Sequence, residues 1–231
     1  MGRPRSYALW ILGHVLRALF ALLIAFVCLF LGWRVFFSKR PPKELREISV
    51  NETLASAYAQ HGELTVMEQP DQVRYTEGED NYADYHVGNC VFLEEADQVQ
   101  LLFFYNNSTL VDVSESLAID PALPRGEEVF GVELLLLVDV SPEGHVGDPV
   151  IEERVVRASH VEVGTTSLYT FLRYTFDGVD MSDDVTVVYL DIYYEGAERS
   201  ELGTIRLYHK ESKAEYRALT KKEQAVLEGN E

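Results

Sequence analysis

Cysteine is scarce in this 231-residue chain, which holds only Cys28 and Cys90. Two thiols exclude a disulfide-stapled miniature scaffold and a four-thiolate zinc site. Basic residues are short as well, with 20 Lys and Arg against 38 Asp and Glu and a net charge of -18. Residues 1–40 hold six of the basic residues and none of the acids, so the other 191 residues carry -24. An acidic body of this kind is repelled by phosphates. It shows no basic stripe with interleaved aromatics, so nucleic acid is excluded as its partner. There is no HExxH or CxxC motif, no GxSxG elbow, no Walker loop, no dinucleotide-binding glycine pattern and no internal repeat. Disorder throughout is excluded too. With 47% hydrophobic residues, enough apolar surface is available to offset the entropy of ordering.

What is present begins with grease. From Tyr7 to Trp33 the only charged residue is Arg17, and Ala18–Trp33 is an uninterrupted apolar run of 16 residues. The 27 residues from Tyr7 reach roughly 40 Å as a helix, and a bilayer core needs about 30 Å. Arg17 can snorkel to a headgroup layer, and Trp10 and Trp33 suit the two interfaces. A cleaved signal peptide would need a small-x-small site after the run, where Gly32-Trp33-Arg34-Val35 stands instead. Val27 before Cys28 is too large for a lipoprotein cysteine. The expectation is an uncleaved signal-anchor at residues 7–37 that contacts membrane lipid, preceded by a basic tail at 1–6.

Orientation is contested. Arg3, Arg5 and Arg17 flank one side, and Arg34, Lys39, Arg40, Lys43 and Arg46 the other. A plain count therefore favours the body inside. Against it, the short tail with its two Arg would then have to cross, and acidic β-rich bodies are common outside bacterial cells. An extracytoplasmic body is the expectation.

Residues 38–62 read as a proline spacer and a short helix. Pro41-Pro42 forbids helix beyond Arg40. Ser49 and Glu52 form a capping-box pattern ahead of Val50, Leu54, Ala57 and Tyr58, and Gly62 is the expected stop. His61 is expected at the helix edge.

From residue 63 the period changes to two. Val99, Leu101, Phe103 and Tyr105 alternate with Gln98, Gln100, Leu102 and Phe104. Leu172, Tyr174 and Phe176 alternate with Phe171, Arg173 and Thr175, and Val188, Leu190, Ile192 and Tyr194 share a face. Val129–Val140 is more continuously apolar, as a central strand covered on both sides would be. Further strands are expected at Leu64–Met67, Val87–Leu93, Val150–Val156 and Thr204–Tyr208, with 112–128 as a long connection. Seven to nine strands without intervening helices predict a mainly β chain. Its acidic domain, at 63–210, would be an antiparallel β-sandwich with short flanking helices. Capping-box patterns at Ser212–Glu215 and Thr220–Glu223 predict a helical tail over 211–231.

The segments QVQLLFFYNNSTL, YTFDGVD and VVYLDIYYEG…GTIRLY are similar to those of uncharacterised bacterial single-pass membrane proteins with a β-rich extracytoplasmic domain. The resemblance spans most of the chain. It implies an anchor and an extracytoplasmic β-domain, and it carries no activity or functional residue.

Chemistry-bearing residues are few. His86 and Cys90 are close in sequence, but Cys90 is expected as an inert core thiol. The turn Asp177–Asp184 holds four aspartates without EF-hand spacing. Adjacent acids such as Glu152-Glu153 point to opposite faces of a strand and form no acid/base pair. Lys210, Lys213, Lys221 and Lys222 make a local basic patch. No catalytic, cofactor-binding or metal residues are assigned, and no cofactor is expected. The leading expectation is a membrane-anchored, non-catalytic binding or scaffold module with a protein partner. Surface tyrosines would supply the contacts, with Tyr75, Tyr82, Tyr85, Tyr193 and Tyr194 as candidates by position. A cell-envelope hydrolase using carboxylates and an accessory sensory ectodomain are the alternatives.

Overall fold

A computed structural model describes residues 4–68, 85–107, 130–181, 184–195 and 199–229. Two compact units divide at residue 40. The first is one helix, α1 (Pro4–Ser38), long and apolar enough to cross a membrane: its Trp10–Ser38 stretch contains an 18-residue window with a mean hydropathy of 2.6. The helix ends as the Pro-Pro pair requires, and the Arg40 guanidinium sits 4.5 Å from the Phe36 ring centroid.

The second unit is mainly β, with ten strands among the described residues. Six form a sheet in the order β10-β1-β2-β3-β7-β6. They are β1 (Thr65–Glu68), β2 (Tyr85–Leu93), β3 (Gln98–Asn106), β6 (His160–Thr165), β7 (Tyr169–Asp177) and β10 (Glu215–Ala218). Four form a second sheet in the order β5-β4-β8-β9: β4 (Phe130–Asp139), β5 (Ile151–Arg157), β8 (Val185–Glu195) and β9 (Arg199–His209). Every pairing is antiparallel.

The alternation read from the sequence decides which residues meet. Val99, Leu101, Phe103 and Tyr105 on β3, with Leu172, Tyr174 and Phe176 on β7, share one buried cluster with Val132, Leu134, Leu136 and Val138 on β4 and Val188, Leu190 and Ile192 on β8. The main core therefore lies between two sheets, as in a sandwich. Each fully buried Leu, Val or Phe there contributes roughly 1.5–3 kcal/mol by leaving water.

Three expectations need correction. β4 is central in its sheet, but it is not covered on both sides: Leu135 and Leu137 are only half-buried. The strands covered on both sides are β3 and β7, the latter buried from Tyr169 to Phe176. The helix α2 (Glu52–His61) is capped by Asn51, whose side chain accepts from the Leu54 N–H at 2.9 Å, and not by Ser49. Gly62 ends it as expected, in the left-handed conformation at φ 77°. Finally, Ser212–Glu215 starts no helix. Residues 215–218 are extended and pair with β1, which would otherwise expose its backbone donors at a sheet edge. The second capping box does form: Thr220 and Glu223 exchange both bonds at the start of α3 (Lys221–Leu227).

Candidate functional site

The sheet's back face, turned away from the main core, carries Gln98, Gln100, Leu102 and Phe104 on β3 and Phe171, Arg173 and Thr175 on β7. On pattern alone this is a mixed face, polar and apolar by turns. Here it is covered, with Gln98, Gln100 and Arg173 at 1%, 0% and 1% exposure. The cover is the segment Pro41–Asn51, a strap leading from residue 40 to α2. Its 3-10 turn at Lys43–Arg46 presses Leu45 onto Leu102, Tyr169 and Phe171. Gly164 on β6 makes the close approach possible, since a Cβ there would lie 2.8 Å from both the Leu45 and the Pro42 side chains.

Polar groups fix the strap's position. The Ser49 N–H donates to Gln100 Oε1 at 2.7 Å, and Gln100 Nε2 donates back to the Ser49 carbonyl at 2.7 Å. The glutamine thus acts as a mimic of a strand neighbour. Gln98 Nε2 donates to Asp177 Oδ1 at 2.7 Å and to Asn51 Oδ1 at 3.1 Å. Ser49 Oγ donates to Glu162, and Lys222 on α3 pairs with Glu47. Arg173 Nη2 donates to the Leu45 carbonyl, and Glu162 sits opposite Arg173 in the β6–β7 register. Arg173 Nε and Nη1 have no hydrogen-bond partner among the described residues. Burial draws this guanidinium below the ordinary arginine range, opposed by Glu162 and Glu223.

Beside the strap lies a cleft of about 690 Å³. Strap residues 42–45 and 47–50 form one wall, Glu162, Val163 and Gly164 of β6 another, and Lys222, Glu223 and Val226 of α3 the third. Pro42, Leu45, Ile48, Val50 and Val226 supply its apolar surface, which polar surface nearly equals, and Lys43 and Glu44 are exposed at its rim. Three of its carboxylates, Glu47, Glu162 and Glu223, are engaged. Glu223 accepts a two-pronged contact from Arg217 at 3.0 and 3.2 Å and a bond from the Thr220 N–H at 2.6 Å. Burial raises the Glu223 pKa, but these contacts outweigh it and hold the carboxyl below its usual range. Arg217 also reaches Glu68 at 3.0 Å.

The sequence candidates fall elsewhere. Cys90 is in the main core, and burial drives its thiol pKa far up. His86 lies on the other face, against Phe104 at 5.0 Å, with a register shift between Val87 and Cys90. The two therefore form no common site. The aspartates of the 177–184 turn go separate ways: Asp177 to Gln98, Asp184 to Lys210 at 2.8 Å, and Asp180 near Asp97, whose pKa is raised by burial and further by the Asp180 charge. Asp183 lies outside the described residues. Among the described residues no group of three His, Cys, Asp or Glu gathers in a way that could hold a metal.

Of the tyrosines expected at the surface, Tyr75 and Tyr82 lie outside the described residues, while Tyr85 and Tyr194 begin β2 and approach the end of β8. Tyr193 is a correction. It is 8% exposed, with its ring where a side chain on Gly131 would have to be. The strap residues were missed as a site. The available signal was three polar side chains, Gln98, Gln100 and Arg173, in otherwise apolar strands.

Comparison of the chain with protein-family models, with curated proteins and with solved structures gives no match.

Proposed function

We propose that the protein is a membrane-anchored, non-catalytic binding module, and that the strap cleft is where a protein partner docks. The observation that carries this reading is the cleft of mixed apolar and polar surface laid over the buried Arg173. The cleft's walls suit an extended peptide's side chains. A guanidinium with uncommitted N–H groups lies one layer below, beneath Leu45 and Glu162, which both line the cleft. Its non-catalytic character rests on the cleft's carboxylates. Glu47, Glu162 and Glu223 are each engaged by a neighbour, and a general acid needs a raised pKa where Glu223 has a lowered one.

The anchor is α1, and the body lies outside the cytoplasm. Supporting that side are the acidic β-rich composition and the two Arg of the short tail, which would otherwise have to cross; the larger basic count after α1 weighs against it. Protease added to intact cells should remove the body and spare α1. A body fully protected until lysis overturns the assignment.

The binding role is tested by recovering partners with the full chain and with Val50→Arg, which puts a charge on an exposed apolar residue that lines the cleft. Loss of one specific partner with Val50→Arg, and its retention with the distant substitution Glu201→Lys, is the expected result. Identical recoveries from both variants overturn the cleft as the docking site.

A further inference from the structure

Four strands end the two sheets, and three of them are protected. β10 is only four residues long. β6 is sheltered by the strap, through Pro42 and Leu45 at Gly164 and Ser49 at Glu162. β9 is broken by two register shifts against β8 and by Gly203 at φ 155°. β5 has none of these devices. It runs seven residues against β4 without a register shift, contains neither Pro nor Gly, and is exposed at every position but Val156. Long, regular, open edges of this kind template further strands.

Its charges narrow the choice of strand. β5 carries Glu152, Glu153, Arg154 and Arg157, a balanced set on a body that otherwise carries a large negative excess. Charged residues usually blunt an edge, but a balanced set complements its own antiparallel image. Two strands of β5 related by a two-fold axis can meet in few registers that keep inner and outer faces matched. Centring on Arg154 sets arginine against arginine, and centring on Glu153 sets glutamate against glutamate; the latter also faces Glu152 with Arg154, but those two are already paired within the strand at 3.1 Å. Centring on Val155 puts valine opposite valine and places each Glu153 opposite the other copy's Arg157, twice, on the outer face. It also joins two half-exposed apolar rows, because Val155 (57% exposed) lies beside Leu135 and, beyond it, Tyr189. Arg157 is already 3.7 Å from Glu133, so its charge would be shared between two carboxylates.

We propose that β5 pairs antiparallel with β5 of a second copy, centred on Val155. The four-stranded sheets thereby join into one continuous eight-stranded sheet. Edge pairing supplies main-chain hydrogen bonds, and the cross-strand pairs set the register.

The test uses the full chain in detergent micelles with Cys28→Ser, so that Val155→Cys adds the only accessible thiol. Oxidation should link Val155→Cys into a dimer. Glu153→Cys should not link, because in this register the two positions lie four residues apart, about 13 Å. Glu153→Arg and Arg157→Glu should each weaken dimerisation by roughly tenfold, as two pairs turn from attractive to repulsive. Mixing these two variants restores both pairs and should restore the dimer. That rescue separates β5 from any association through α1. Unchanged thermal unfolding of each variant shows that the fold is intact. A monomer, a dimer indifferent to the charge swaps, or linkage through Glu153→Cys in place of Val155→Cys overturns the proposal.

Discussion

β3 and β7 at the middle of the six-stranded sheet are buried on both faces, whereas β4 and β8 at the middle of the four-stranded sheet are buried on one. On β4, Val132, Leu134, Leu136 and Val138 enter the core, while Leu135 and Leu137 reach the surface half-covered. The larger sheet gains its second cover from the strap and α2. Those elements bury Leu45 and Ile48 and also seal in polar groups that must then find partners. Double coverage adds hydrophobic burial and, with it, an obligation to satisfy Gln98, Gln100 and Arg173. The single-sided sheet carries less of that obligation, with Glu133 its one buried polar side chain among the described residues, and leaves apolar surface next to an open edge.

This contrast can be broken most forcefully with truncations on the second face of each sheet. Phe171→Ala, in the second cover, should cost about 3–5 kcal/mol, whereas Leu137→Ala on the outer face of the smaller sheet should cost under about 1 kcal/mol. Denaturant unfolding of both variants gives the comparison, and equal losses would erase the distinction. Gln100→Leu should cost roughly 1–3 kcal/mol, because the Ser49 N–H and carbonyl lose their partner beneath the strap. The same variant should be cut faster by protease within Pro41–Asn51.

Gly131→Ala probes the smaller sheet. A Cβ there would fall 2.3 Å from the Tyr193 ring, so displacing that ring should cost roughly 1–3 kcal/mol.

Acid should loosen the strap side first. The Glu223 pKa is lower in the folded chain than its ordinary value of 4.5, so its contribution is complete above that value and is lost as pH falls through the folded pKa. The unfolding temperature should therefore drop below about pH 4.5, and drop less steeply in Glu223→Gln.

The smallest effect is expected at Arg173→Met. It gives up one bond to Leu45 but also removes two buried, unmatched nitrogens, so stability should change by about 1 kcal/mol or less in either direction. A loss of several kcal/mol would make Arg173 a structural post and remove the support it lends to the cleft.

The main core could be read in advance because period two states which residues share a face. β3, β7 and β8 came directly from that rule, and Gly62 and the Thr220–Glu223 box from local chemistry. Period two does not state whether a face is covered. Gln98, Gln100 and Arg173 therefore read only as members of a strand's second face, and the Pro41-Pro42 stretch only as a spacer. β6 is short and polar, and β10 was hidden by a capping-box pattern that its pairing with β1 overrides. The cleft depends on all of these, because strap, β6 and α3 are far apart in sequence. The long connection expected at 112–128 lies outside the described residues.

The strap is the first part of the β-domain that the chain meets after residue 40, so any pull transmitted along the backbone from that end falls on it before anything else. Its attachments at Leu45, Ser49 and Asn51 follow one another along the chain and would be loaded one at a time, like the teeth of a zip. A structure loaded in that order yields at low force and recloses readily, leaving the sheets behind it undisturbed.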